Sequence, residues 1–460
     1  MCHETVKYTG EPFVDAGVAV MEHHLGKPCE DFKPEDLEKA ARWLIKIYER
    51  KSLKGYLTIH FPNSGWCNAT ISKEKKAEYI NKVLQAYNFE PISGRECVYC
   101  HRPAQFLADR QHIPMLTGAS TIITSPGGVP GLPVCGYCLM AIQFYPLATL
   151  KCQGKPLFWW TPEPDLTYSL TGEYFREIEK LIDGGSDKLP NLSWPKTILL
   201  DTAQKVLASY GDDKPLADCI GLHVTNYGAG PDYHQYRLPK ELLEFLKLVR
   251  VKDEAVRSAH THIIETAWVK DKNNKKQAKS QEKETPSRRN KYFEALVEVF
   301  EQANWSEKTK EIVHNFYFHK KPETFQYNNF ALCKLFLEKV AGMDKQRLET
   351  IKRIADQVTN TLIIGNNETK WLNSLFNHEH KFHEFMRYLI RVQKRLAEKG
   401  QVLSLDDILI MLDLSNEEDT VSKDFSLVRD LFLIRMLELV GKNRKDMLNE
   451  LELTSDTETN

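Results

Sequence analysis

The sequence predicts an α+β N-terminal domain with a small inserted module, followed by an all-α domain built as a helical bundle. Two CxxC pairs lie in a Pro- and Gly-rich stretch at 93–140, between segments with helix-like and strand-like apolar spacing. After Tyr292 nearly every segment has the spacing of an amphipathic helix. A chain of 460 residues also exceeds the ~250–300 residues at which single cores stop growing. We therefore interpret 93–140 as a zinc-ribbon-like insert in the first domain.

The composition is that of an ordinary globular protein. Apolar residues make up 42% of the chain and charged residues 27%, which excludes a wholly disordered or collagen-like protein. The 62 Lys and Arg nearly balance the 63 Asp and Glu, so a uniformly basic nucleic-acid coat is not expected, although basic patches are. No apolar run reaches the ~18–20 residues that span a bilayer, and the start MCHETVKYTG lacks a signal peptide. These observations predict a cytoplasmic protein without membrane contacts.

The pattern of the chain predicts three regions. Residues 1–268 form the α+β domain, 269–291 a basic flexible loop and 292–460 the helical domain. In the first region we expect helices over 71–87, 172–183 and 196–209, and strands at Tyr56–Phe61, Leu157–Trp160, Ile220–Asn226 and His234–Leu238.

The two CxxC pairs predict a metal site. Cys97 and Cys100 form the first pair, and Cys135 and Cys138 form the second. Zn²⁺ prefers four tetrahedral ligands, and two such turns supply four thiolates. Four cysteine ligands leave no open coordination position, so the predicted zinc is structural and does not activate water.

A different class of protein, a metal-dependent HNH-like nuclease, is the rival interpretation. Such nucleases carry flanking CxxC pairs around an acidic-His-Ile-x-Pro segment, and here Asp109-Arg110-Gln111-His112-Ile113-Pro114 lies between the pairs. However, Gln111 stands where an acid is expected, and Leu139-Met140 stands where Asn or His is usual. We therefore expect no enzyme activity and a packed or hydrogen-bonded His112.

Two features are candidates for nucleic-acid contacts. Arg387, Arg391 and Arg395 recur four apart on a helix over 381–398, with Lys394 beside them, and this spacing can follow a phosphate backbone. A solvated, ion-paired helix face is the alternative, because Glu384 and Glu398 bracket these residues. The other candidates lie in two predicted turns, each with an Asn and the residue that follows it. Their side chains can pair with base edges, although an ordinary turn uses the same residue types. These residues are Asn63 and Ser64, and Asn226 and Tyr227.

One family resembles this layout. The opening Tyr8-Thr9-Gly10-Glu11-Pro12-Phe13-Val14-Asp15-Ala16-Gly17, the paired CxxC module and the helical C-terminal half together resemble the CXXC-CXXC family of CRISPR-associated large subunits of type I-B Cascade. The resemblance implies a non-catalytic subunit of an antiviral complex that binds crRNA and target double-stranded DNA. It also implies recognition of the protospacer-adjacent motif (PAM) and stabilisation of the R-loop, while guide pairing reads the target sequence.

The same resemblance implies the partners. These are the Cascade backbone and repeat-processing subunits, a transiently recruited helicase-nuclease and a small subunit. In type I-B systems the small subunit can arise by internal translation, and Met343 is our candidate start for a bundle over 343–460. A third interpretation, a zinc-ribbon transcriptional regulator, predicts binding to a DNA site without guide RNA.

Overall fold

A computed structural model describes most of the chain. The protein is a mixed α+β structure, 61% helical with small sheets. Its residues cluster into two compact units, one formed by 1–243 with 269–289 and the other by 244–268 with 290–460. These units are defined by their compactness and not by independent folding, so the predicted domain boundaries at 268 and 291 stay predictions. The described residues are 5–62, 64–68, 70–116, 131–227, 231–270, 288–301, 305–377, 381–413 and 421–448.

Several helices of the first unit begin at a proline. Proline suits the first helical position because its fixed φ is helical and its missing N–H has no partner there anyway. Pro12, Pro34, Pro164 and Pro195 each start a helix in this way. The helices are α1 (Pro12–Leu25), α2 (Pro34–Tyr48), α3 (Lys51–His60), α4 (Lys73–Leu84), α5 (Gly136–Phe144), α6 (Pro164–Asp183), α7 (Pro195–Leu207) and α8 (Lys240–Val251), which continues into the second unit.

Two antiparallel sheets belong to the first unit. The smaller pairs β1 (Phe106–Ala108) with β2 (Leu132–Val134). The larger has the order β3-β4-β5-β6 and confirms the strands expected near 157, 220 and 234. Its strands are β3 (Leu150–Cys152), β4 (Lys155–Trp160), β5 (Cys219–Thr225) and β6 (Asp232–Leu238).

The strand predicted at Tyr56–Phe61 is wrong, because residues 56–60 belong to α3 and Phe61 is its C-cap. The letters YLTIHF alternate as a strand would, but Leu53, Tyr56, Leu57 and His60 also recur at helical spacing, and all four are buried. The Tyr56 hydroxyl donates a hydrogen bond to the carbonyl oxygen of Thr149 over 2.5 Å. Burial of this stripe and long-range contacts therefore favour the helix over the local strand propensity.

The opening segment has a structural explanation. The N–H groups of Thr9 and Gly10 donate to the carboxylate of Asp15 over 2.7 and 3.0 Å, and Gly10 has a left-handed φ of 84°. Gly17 faces helix α5, where an added Cβ would lie 1.8 Å from the carbonyl oxygen of Ala141. The segment therefore fixes the start of α1 and its close packing against the helix that carries the second cysteine pair.

Helices dominate the second unit, together with π-helical turns at Val313–Tyr317 and Thr359–Ile364. Helix α17 is buried without interruption from Leu427 to Ile434 and packs against α12 to α16. The helices are α9 (Glu254–Thr266), α10 (Lys291–Glu298), α11 (Trp305–Ile312), α12 (Phe330–Lys339), α13 (Lys345–Val358), α14 (Lys370–Asn377), α15 (Phe382–Ala397), α16 (Leu405–Leu412), α17 (Val421–Asn443) and α18 (Lys445–Leu448).

The basic segment between the domains is described only at its ends. Two short strands, β7 (Trp268–Lys270) and β8 (Arg288–Asn290), form a two-stranded sheet, and Lys291 begins α10. Residues 271–287 lie outside the described residues, so a flexible loop over 269–291 stays a prediction there. Within the described ranges, no helix has the length and apolar character to cross a bilayer.

Candidate metal centre and nucleic-acid interface

The first cysteine pair lies on a tight turn held by backbone hydrogen bonds. The N–H of Cys97 donates to the carbonyl of Arg102 over 2.7 Å, and the N–H of His101 donates back to the carbonyl of Cys97 over 3.0 Å. His101 takes a left-handed φ of 60°, which reverses the chain. The N–H of Val98 donates to the carbonyl of Pro133 over 3.0 Å, which ties this turn to β2.

The second pair lies on the first turn of α5, and not on a second hairpin turn as a two-hairpin ribbon would have it. Cys135 is the N-cap, and its sulfur accepts a hydrogen bond from the N–H of Cys138 over 3.4 Å. The next N–H, that of Gly136, donates to the side-chain oxygen of Gln105 over 2.8 Å. A helix N-terminus favours negative charge, so this position suits a thiolate.

Gly136 allows this helix start to approach its neighbour. A Cβ at this position would lie 1.9 Å from the backbone nitrogen of Tyr87 and 2.3 Å from the carbonyl carbon of Ala86. Only glycine fits between the helix start and the short 3₁₀ turn at Ala86–Asn88. The position of Cys135 is therefore set by backbone-to-backbone packing.

The four sulfurs form one compact cluster. All of them lie within 4.8 Å of one another, and the Cys100 and Cys135 sulfurs are 3.5 Å apart. Metal–sulfur bonds of about 2.3 Å in a tetrahedron place the sulfurs roughly 3.8 Å apart, so the spacing fits a tetrahedral metal ion. The prediction of a four-cysteine cluster able to hold a metal is confirmed.

The electrostatics of the cluster favour a cation. Hydrogen bonds from the neighbouring sulfurs, led by that of Cys100, lower the pKa of Cys97 far below the usual thiol value. A hydrogen bond with Cys135 is the main cause that lowers the pKa of Cys100 to about 7. The same neighbours raise the pKa of Cys138, with Cys100 as the largest cause. Without a cation only part of the set ionises, whereas a metal ion stabilises four thiolates together.

The cluster lies in the core of the first unit. Cys97, Cys135 and Cys138 are at most 4% exposed and pack with the apolar side chains of α1 and α5. Only Cys100 is partly exposed. Burial of this kind suits an ion that stabilises the fold and does not meet substrate.

The turn that follows α3 lies close to this module. Ser64 is fully buried, and its hydroxyl lies 3.3 Å from the sulfur of Cys67. The ring of Tyr79 covers Gly65, and its hydroxyl donates to the carbonyl of Gln111 over 2.6 Å. Asn63 lies outside the described residues. The buried Ser64 hydroxyl contacts a base only if this turn opens, so its binding role stays a prediction.

The loop after β5 reaches the same region. The side-chain N–H of Asn226 donates to the carbonyl of Leu116 over 3.0 Å, and the hydroxyl of Thr225 donates to the carbonyl of Ile59 over 3.2 Å. Tyr227 is 56% exposed. The structure therefore brings the Asn226 loop, the end of α3 and the segment 109–116 between the cysteine pairs into contact.

His112 is held by three neighbours. Its Nδ1 lies 2.7 Å from a carboxylate oxygen of Asp109, and its ring stacks on that of Tyr79 with centroids 5.4 Å apart. Burial lowers the pKa of His112, against the opposing effect of Asp109. Its carbonyl accepts a hydrogen bond over 3.1 Å from Gln143, whose other side-chain atom accepts from Trp66 over 2.9 Å. His112 is packed and hydrogen-bonded, as expected.

Sequence reasoning missed Tyr79, Gln143 and Trp66. Each makes its contact with a residue at least 31 positions away, and none lies in a recognisable motif. No local signal could have found them.

On α15 the four basic residues differ in environment. Arg387, Arg391 and Lys394 are exposed, and Arg391 also donates to the hydroxyl of Ser374 over 3.3 Å. Arg395 is half-buried and makes ion pairs of 2.6 Å with both Glu368 and Glu398. The ion-paired alternative therefore applies to Arg395.

The apolar side chains of α15 also differ in exposure. Phe385, Leu389 and Leu396 are buried, whereas Ile390 is 61% exposed.

Neither a family model nor a curated protein nor a solved structure matches this chain. The family resemblance therefore stays a prediction.

Proposed function

We propose that the protein is the non-catalytic large subunit of a type I-B CRISPR Cascade complex, which binds crRNA and target DNA in antiviral defence. The observation that carries the proposal is the contact that the Asn226 loop makes with the end of α3 and with the segment 109–116, which lies between the cysteine pairs. Loops positioned by a rigid scaffold are where binding residues concentrate.

Structural Zn²⁺ is the ion we assign to the cysteine cluster. Four thiolates at tetrahedral spacing are a donor set typical of zinc. Cys97, Cys100, Cys135 and Cys138 would hold it, and the ion would lock the first turn onto the start of α5. In this proposal 93–140 remains a zinc-ribbon-like insert, and the helical C-terminal region remains a separate bundle.

In this proposal the Asn226 loop reads the PAM. Amide groups pair with base edges, whereas Lys and Arg mainly position the duplex. We expect Asn226→Ala to reduce discrimination among flanking motifs by about 1–3 kcal/mol while affinity for all DNA changes less. Anisotropy titrations of the guide-loaded complex with duplexes that differ only in the flanking motif measure this. Asn443→Ala, an exposed amide on α17, is the matched control, and equal loss on every duplex would contradict base reading.

The exposed basic residues of α15 support R-loop binding. Each cation that neutralises a phosphate contributes about 0.7–0.9 to the slope of log K against log salt. We expect Arg387→Ala to lower that slope by this amount for the complex on target DNA. Arg395→Ala should lower it less, because Glu368 and Glu398 already neutralise that guanidinium.

The proposal includes the partners and the compartment that the resemblance implies. These are crRNA, target double-stranded DNA, the backbone and repeat-processing subunits, a small subunit and a transient helicase-nuclease, all in the cytoplasm. Met343 follows Gly342, which has a left-handed φ of 62°, in the break between α12 and α13. A product that starts there begins at a helix boundary. Loss of a short co-purifying polypeptide on Met343→Leu would support this start.

Co-purified RNA tests the function directly. The tagged chain, isolated from its own cells, should carry repeat-spacer RNA with a uniform 5′ end together with the backbone subunits. RNA of random origin, or stable site-specific DNA binding without any RNA, would contradict the proposal. The second outcome would instead favour the transcriptional regulator.

A metal-dependent HNH-like nuclease is the second candidate, favoured by the hydrogen-bonded pair of Asp109 and His112. A histidine oriented by a carboxylate is the arrangement of a general base. Among the described residues, no third metal-ligating side chain joins this pair in a cluster. A Mg²⁺-dependent nicking assay with His112→Ala as control separates the candidates: nicking that the variant loses would establish the nuclease.

A further inference from the structure

Strand β6 is an edge of the four-stranded sheet and has one open face. It pairs with β5 on one side, with Val224 opposite Tyr233 and Gly221 opposite Tyr236. Tyr236 and Leu238 point to one face and are buried. Residues on the other face alternate with them, and these are exposed or partly exposed.

Three side chains of different chemistry line this open face. Tyr233 is 58% exposed, Gln235 is partly exposed and Arg237 is exposed. The Tyr233 hydroxyl donates to the side-chain oxygen of Gln235 over 3.2 Å. On β5 the same face, at Leu222 and Val224, is buried in the core. The part of this sheet face that is buried in the core therefore ends at β5. On β6 the face presents a tyrosine ring, an amide and a guanidinium to solvent.

A second exposed ring lies at the same end of the hairpin. Tyr227 follows β5 by two residues, and its N–H donates to the hydroxyl of Thr225 over 3.1 Å. The preceding Asn226 is hydrogen-bonded to Leu116. The Tyr227 ring therefore extends from a hydrogen-bonded stretch of chain and is exposed to solvent.

The charge of this face is complementary to phosphate. The acid at the start of the strand, Asp232, is ion-paired with Lys155. Arg237 makes no ion pair within the described part of the chain. The strand therefore presents one uncompensated cation on the same face as Tyr233, four residues further along the strand.

We propose that the open face of β6, with Tyr227, binds an unpaired nucleic-acid strand. The inference rests on the proposed function and specifies its ligand as single-stranded. Residues two apart on a strand are separated by about 6.6–6.8 Å, twice the 3.4 Å rise of stacked nucleotides. Tyr233, Gln235 and Arg237 therefore lie at intervals that match every second nucleotide of a stacked strand. Bases stack on the two tyrosines, and Arg237 contacts the backbone.

Fluorescence anisotropy with the full-length, metal-loaded chain tests this. The probes are a labelled single-stranded DNA of about 12 nucleotides, within the site sizes known for such surfaces, and the same sequence as a duplex. Replacing both Tyr227 and Tyr233 by Ala should weaken single-strand binding at least about fivefold per ring. Tyr233→Phe keeps the ring, and Tyr168→Ala removes an exposed tyrosine of α6. Both controls should stay within about twofold of the unmodified chain.

The outcomes separate this inference from the function it rests on. Binding of the duplex but not of the single strand overturns the inference alone. Unchanged single-strand affinity in the double variant also overturns it, and would assign the edge to another ligand such as an added protein strand. Failure to bind either probe, with or without guide RNA, overturns the proposed function as well. Unchanged circular dichroism and melting temperature confirm that each variant is folded.

Discussion

Replacing Gly136 by alanine should disrupt the metal module through its backbone packing. The new Cβ would lie 1.9 Å from the nitrogen of Tyr87, whereas real Cβ contacts essentially never fall below 3.0 Å. The start of α5 and the Ala86–Asn88 turn must therefore separate by at least about 1 Å. Both groups in this contact belong to the backbone, which cannot move aside as a flexible side chain can. We therefore expect Gly136→Ala to lower the free energy of unfolding by about 3 kcal/mol, the upper end of the usual overpacking cost.

Gly55 is the matched control for this variant. It lies inside α3, and an added Cβ meets no atom within 4 Å. Gly55→Ala should therefore stabilise the protein by about 0.5–1 kcal/mol, because alanine favours a helix interior.

Scanning calorimetry together with metal analysis measures both effects. For a unit of this size 1 kcal/mol corresponds to about 2–4 °C, so Gly136→Ala should lower the melting temperature by about 6–12 °C. It should also release metal more readily, because Cys135 moves with the helix start. A Gly136→Ala protein that melts at the original temperature and keeps its metal would refute this packing argument.

Two further predictions concern stability. Burial lowers the pKa of His60 to about 3, so the unfolded chain, with a pKa near 6.5, binds more protons below pH 6.5. This stability is complete above about pH 7.5 and is lost as the pH falls towards 3. Denaturant titrations should show a loss of about 2 kcal/mol from pH 8 to 5, reduced in His60→Gln. In the helical unit Arg435 makes two hydrogen bonds of 2.5 and 3.1 Å to Asp356 in a half-buried site. Arg435→Met should cost about 2–4 kcal/mol in urea unfolding, whereas Arg353→Met, which breaks a more exposed pair, should cost under about 1. A flat pH profile, or equal costs for the two arginines, would contradict these assignments.

Periodic segments of the fold could be predicted from the sequence, and ambiguous ones could not. The helices α6 and α7 have apolar residues at helical spacing, whereas β4 and β5 are short and almost continuously buried runs that suit strands. The α3 segment satisfies both periods, because YLTIHF alternates while Leu53 and Tyr56 also share a helical face. The hydrogen bond from Tyr56 to Thr149, across 93 positions, belongs to the tertiary structure that decides between them.

The same distinction applies to the site. The cysteine cluster could be predicted because each pair is a local motif, and only the meeting of the pairs is tertiary. The ion pair of Arg395 with Glu398 could be expected from their spacing, but the pair with Glu368 could not, because Glu368 lies 27 positions away. The position of Ser64 depends on packing by Tyr79 and Cys67, so the sequence indicates a polar turn but not its burial.

X-ray absorption spectroscopy of the purified chain, with elemental analysis, tests the central claim most directly. The cluster of Cys97, Cys100, Cys135 and Cys138 predicts one zinc per chain, with four sulfur neighbours at about 2.3 Å. A chain purified without metal, or a zinc with nitrogen or oxygen neighbours in place of sulfur, would contradict the account.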